Sequence, residues 1–165
     1  LNQTILTSTL LAVTAAGVAA CAGDDPDSRT ITAGTVTTGG NCGGSGAEPR
    51  LTVATSEADY DEFLATGARA DSDASVPDFE QQVAVFMAMG QKPTGGYRLS
   101  LRDPEVTIEQ GTATIPVNWQ TPPPDAMVTQ ALTSPCLVVT LPRGDYQQVR
   151  AVDGDGNERL RGRLD

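Results

Sequence analysis

A reaction needs a nucleophile, a base or a ligand set, and this chain of 165 residues, with three cysteines and no histidine, offers few of them. Without histidine it lacks the commonest general base, the commonest neutral metal ligand and the usual partner of a serine or cysteine nucleophile. Serine and threonine are plentiful, but the single lysine, Lys92, lies in a turn, so no Ser–Lys dyad is credible. Asp59, Asp61, Glu62, Asp71, Asp73 and Asp78 crowd one helix and the loop after it; paired carboxylates could hydrolyse a bond, but helical spacing makes most of these a solvated face. Asp153-Gly154-Asp155-Gly156-Asn157 has the oxygen spacing of a calcium loop. It lacks the bidentate glutamate at position twelve and is flanked by strands, so a tight hairpin turn is the better reading. Arg143-Gly144-Asp145 copies an adhesion tripeptide, yet a turn needs the same residue types, and we assign it no role. We expect no catalytic residue, no cofactor and no metal.

The cysteines are more telling. Ile5 to Ala20 is an uncharged, apolar, small-residue run, too short to span a bilayer comfortably but suited to a secretory h-region. Val18-Ala19-Ala20-Cys21 resembles the end of a bacterial lipoprotein signal, which implies that Cys21 carries the acyl chains. The run lacks an initiator Met and a basic n-region, as an alternative start codon or a shortened reading frame would leave it. Cys42 and Cys136 then remain, and an oxidising envelope favours their pairing over two free thiols.

A net charge of −10 repels nucleic acid, and the arginines are not clustered enough to overcome it. We therefore expect residues 1–20 as signal peptide, 21–50 as a flexible Gly/Thr/Ser/Asp tether and 51–165 as one folded domain. Within the tether, Ile31 to Val36 could form an edge strand if a disulfide pins it.

The domain reads as α+β: a mainly antiparallel sheet domain of about seven strands with one short helix. Ser56 is placed to cap that helix, with acidic residues in its first turn, Tyr60, Phe63 and Leu64 on one face, and Gly67 to end it. Val83 to Met89 is apolar throughout, as a strand covered on both faces would be. Tyr97, Leu99 and Leu101 alternate on the next strand. Val106–Glu109 and Thr112–Trp119 form a hairpin about Gln110-Gly111, and Pro116 predicts an edge or a bulge. Leu137–Leu141 is a buried strand, and Tyr146–Val152 with Glu158–Arg161 forms a terminal hairpin.

Between two strands lies Lys92-Pro93-Thr94-Gly95-Gly96-Tyr97. It leads into a strand rather than a helix N-terminus and lacks Walker spacing, so a phosphate cradle is disfavoured against a structural turn or a recognition loop. That loop after an apolar strand, followed by Met127-Val128-Thr129-Gln130-Ala131-Leu132-Thr133-Ser134-Pro135 and a β-branched strand, resembles the PrcB C-terminal domain. The likeness covers roughly Val83 to Leu141, with Asp78-Phe79 just before it. It implies an envelope protein that binds or stabilises a protein partner such as a protease and performs no reaction itself. The site residues it suggests are the interaction loop Lys92, Pro93, Thr94, Gly95, Gly96 and Tyr97, with Gln130, Ser134 and Pro135 beside it. One departure is Cys136, where similar sequences often carry a large side chain; it supports a local disulfide variant. The Pro93–Tyr97 turn is also similar to the Asn-Pro-Thr-Thr-Gly-Tyr loop of chagasin-type protease inhibitors. Their two further loop motifs have no ordered match in this chain, and this reading stands as the alternative.

Overall fold

The apolar run beginning at Val83 becomes β4 (Gln82–Ala88), and its alternation explains why nearly every residue in it is buried. Val83, Val85 and Met87 face one cluster of buried side chains, while Ala84, Phe86 and Ala88 face another. The computed structural model of the protein describes residues 27–42, 46–65 and 76–164. The expected signal, Cys21, Gly67, Asp71 and Asp73 lie outside the described residues.

β4 is flanked by β3 (Arg50–Ala54) and β8 (Cys136–Pro142), and β2 (Gly34–Gly39) completes a sheet ordered β2-β8-β4-β3. The second sheet runs β1 (Arg29–Thr32), β6 (Glu105–Glu109), β7 (Thr112–Gln120), β9 (Gln148–Val152) and β10 (Glu158–Arg163), with β5 (Arg98–Leu101) also pairing β7. The main core lies between the sheets, where Val85, Met87 and Val139 meet Ile115, Val117 and Val149. The helix α1 (Glu57–Ala65) covers the outer face of the first sheet. Its apolar side is the expected one: Tyr60 is buried against Phe79 at a 5.8 Å ring separation, and Phe63 lies 5.5 Å from Phe86. Ser56 Oγ accepts the Asp59 amide at 3.2 Å, and Asp59 in return accepts the amides of Thr55 and Ser56. These bonds, Ser56 first, hold the Asp59 carboxyl below its ordinary range.

The mainly antiparallel architecture with one short helix is as the sequence predicts. Three details differ. There are ten strands among the described residues rather than about seven. Two of them, β1 and β2, lie inside the segment read as a tether; they include the edge strand expected over Ile31 to Val36, but extend it over residues 29–39, where β1 pairs β6 and β2 pairs β8. The physical reason is tertiary. Ile31 and Val36 each find an apolar cluster to pack against, and their β-branched neighbours suit a strand. Pro116 sits in a central strand rather than at an edge, at the point where the partner of β7 changes from β6 to β5. Its missing N–H therefore falls in a break between two ladders. One pairing, β7 with β9, is parallel, the crossover between them being β8 in the opposite sheet.

At the exit from β8, the Tyr146 hydroxyl donates to the Pro142 carbonyl at 2.8 Å, and burial pushes its pKa up to about 12. Arg143 donates to the carbonyls of Phe79 and Thr55, which ties this corner to the helix side of the domain. No helix among the described residues is long and apolar enough to cross a membrane.

Candidate functional site

Cys42 and Cys136 form a disulfide with Cα atoms 5.9 Å apart, an ordinary separation for such a bond. It spans 94 residues, for which the chain-entropy relation gives about 4.7 kcal/mol as an upper figure. The bond anchors the base of a loop pair. Beside it, Ser134 donates its amide to the Gly40 carbonyl at 3.1 Å and accepts the Cys42 amide at 2.9 Å. Met89 donates to the Pro135 carbonyl at 2.9 Å, joining the end of β4 to the start of β8.

From that base two segments rise together: 90–97, linking β4 to β5, and 121–135, linking β7 to β8. Lys92 and Thr133 exchange both backbone hydrogen bonds, at 2.7 and 3.0 Å. The Gly95 amide donates to the Thr129 carbonyl at 2.9 Å, and the Thr133 hydroxyl donates to the Thr94 carbonyl at 2.8 Å. The glycines make this closeness possible. A Cβ at Gly95 would run into Thr129 Oγ1; one at Gly96 would lie 2.9 Å from both Pro122 Cβ and Val128 Cγ1. Gly96 also has φ +87°, where an L side chain is strained. The Lys92 ammonium sits 5.7 Å from the centre of the Tyr97 ring, near enough for a cation–π contact.

The structure thus brings Lys92 to Tyr97 against the 127–135 segment, as the sequence motifs suggest. It separates their roles. Pro93, Gly96 and Gln130 are exposed, and Lys92, Thr94 and Tyr97 are half-buried. Gly95, Ser134 and Pro135 are buried, so the last two brace the loop rather than present a surface. Met127 and Leu132, to which the sequence reading gave no separate role, are the outward apolar side chains, 104% and 62% exposed. Their apolar type beside prolines and threonines was the available signal. Trp119 is half-buried against the core, with the Arg159 guanidinium 5.9 Å from its ring centre.

The 153–157 turn is organised by one carboxylate. Asp153, 5% exposed, accepts the amides of Asp155 and Asn157 and the Arg159 Nε at 2.7 Å. Desolvation pushes its pKa up, but the Asn157 and Asp155 amides and the Arg159 guanidinium outweigh it and hold it at about 2. Asp145, in the adhesion-like tripeptide, is an exposed partner of Arg29 at 3.4 Å. No group of three or more metal-ligating side chains occurs among the described residues.

The chain carries a PrcB C-terminal domain over residues 83–142, the stretch that matches the family model of that description. The match runs from β4 through β8 and includes both loops. No curated protein and no solved structure matches the chain.

Proposed function

We propose that the PrcB C-terminal domain acts here as a protein-binding module of an envelope lipoprotein, anchored through acylated Cys21 and contacting a partner such as a protease with its loop pair. The observation that carries this reading is the projection of Met127 and Leu132 from the 121–135 segment, which four hydrogen bonds lock to the 90–97 segment. Exposed apolar side chains on a rigid, backbone-braced loop lose little freedom on docking, which favours association. The reading assigns no reaction, cofactor or nucleic acid to the chain.

The test has two arms. Labelled palmitate should enter the native protein and not a Cys21→Ser variant. The lipidated protein should retain a protease on affinity purification, and Met127→Asp with Leu132→Asp should lose it while keeping the wild-type circular dichroism. Turnover of a substrate by the purified chain alone, or undiminished retention by the double variant, refutes the reading. Inhibition of papain at micromolar concentration would instead favour the chagasin-like alternative.

A further inference from the structure

The ends of β5 and β7 share a groove of about 590 Å³ with the 153–157 turn and Arg159. Leu99 and Trp119 face each other on the core side of this strand pair, so Arg98, Ser100, Asn118 and Gln120 fall on its outer side by alternation. The edge of β5 turned away from β7 lies against β2 and β8, and a ligand reaching β5 therefore comes over that outer side.

Two features separate the groove from ordinary polar surface. Its fixed charges balance: Arg98 and Arg159 stand against Asp153 and Asp155, in a chain of net charge −10. An anion would meet the carboxylates and a cation the guanidiniums, so neither is favoured. Its polar groups are also held in place without being used up. Asp153 accepts Arg159 Nε at 2.7 Å and the Asp155 amide at 3.0 Å, and Asn118 Nδ2 donates to Ser100 Oγ at 3.2 Å. That leaves the remaining Arg159 N–H groups, Asn118 Oδ1 and the Ser100 proton for a ligand. Among the described residues, no hydrogen bond or ion pair takes up the side chains of Arg98, Gln120 or Asp155.

Donors and acceptors thus lie together on planar side chains, with the half-buried indole of Trp119 in the same lining. We propose that this groove binds a short uncharged saccharide. Each sugar hydroxyl both donates and accepts, so neighbouring hydroxyls suit amide, carboxylate and guanidinium groups set side by side. The apolar C–H face of a pyranose ring suits the indole, whose body is apolar and whose N–H is a further donor. Polar groups already fixed by Asp153 and Ser100 lose little freedom when the ligand arrives. The groove is a different surface from the one that carries Met127 and Leu132, and the proposal does not depend on the loop-pair reading.

The probes are neutral trisaccharides of glucose, galactose, mannose and N-acetylglucosamine, with trigalacturonate and triglucosamine as charged counterparts, titrated into the full chain. Trp119 is the single tryptophan, so its fluorescence reports occupancy. At least one neutral trisaccharide should shift the emission saturably, and both charged counterparts should bind at least about tenfold more weakly. Arg98 and Asp155 are exposed, so Arg98→Ala and Asp155→Ala should keep the wild-type circular dichroism. Each should weaken the saccharide about tenfold, the usual loss for a hydrogen bond to a charged group. Met127→Asp with Leu132→Asp should leave saccharide binding unchanged. Saturation by none of the neutral sugars, equal binding of a charged counterpart, wild-type affinity in either groove variant, or loss of binding in the loop variant each overturns the proposal.

Discussion

Gly96 and Gly111 share a backbone conformation but not a neighbourhood, and replacing each with alanine isolates what the loop pair contributes. Gly96 has φ +87° and Gly111, in the β6–β7 turn after Gln110 at φ 48°, has φ +72°. An alanine in that region costs roughly 1–2 kcal/mol, partly offset by a stiffer unfolded chain, so Gly111→Ala should lose about 1 kcal/mol. Nothing lies within 4 Å of a Cβ at Gly111, and no further loss is expected there. At Gly96 the new methyl would lie 2.9 Å from Pro122 Cβ and from Val128 Cγ1, which real Cβ contacts do not tolerate. Overpacking of that kind adds roughly 1–3 kcal/mol, giving about 2–4 kcal/mol for Gly96→Ala. Equilibrium urea unfolding followed by the fluorescence of Trp119, the single tryptophan, reads both variants with one probe. If Gly96→Ala loses no more than Gly111→Ala, the two loops are not locked as described, and the rigid surface inferred from them is lost as well.

Three other outcomes are open to measurement. Replacing Cys42 and Cys136 together by alanine should lower stability by about 2–5 kcal/mol with the fold retained; a loss below about 1 kcal/mol by urea unfolding argues against the bond. Asp155→Ala should stay within about 0.5 kcal/mol of wild type, whereas Asp153→Asn, which takes a full negative charge from Arg159 and weakens the turn, should melt clearly lower. Because the folded pKa of Asp153 is depressed from its ordinary 3.8 to about 2, its contribution is present at neutral pH and lost as pH falls through that interval. Thermal melts between pH 5 and 2 should therefore fall more steeply for wild type than for Asp153→Asn, and parallel curves would contradict the assignment. Phe86→Ala, at a fully buried site between α1 and the first sheet, should cost about 3–5 kcal/mol by the same urea assay.

Much of the architecture is legible in the chain because local pattern and tertiary setting agree. The unbroken apolar run at β4 follows from cover on both faces, by the second sheet and by α1. The Ser56–Asp59 cap is written in four consecutive residues. β1 and β2 are legible only in part: Ile31 to Val36 reads as an edge strand conditional on the disulfide, but the surrounding threonines and glycines match linker composition, and what orders the two strands is pairing with β6 and β8, more than 70 residues away. The carboxylates of Asp153 and Asp155 are indistinguishable in the sequence, and only the β9–β10 register, with its irregularity between Glu158 and Leu160, decides which one turns inward. At the loop pair the motif located both segments. It could not say that Ser134 and Pro135 face inward while Met127 and Leu132 face out, because that depends on how the segments are bonded to each other.

The Cys42–Cys136 bond has a bearing on how the loop pair would withstand a cut in its backbone. The exposed 121–135 stretch lies wholly inside the covalent ring that the bond closes, and a single nick there would divide the backbone yet release nothing, since both pieces stay joined through sulfur. On a gel the damage would be invisible until reductant is added. The part of this surface most open to attack is thus also the part whose cutting is least able to release a fragment.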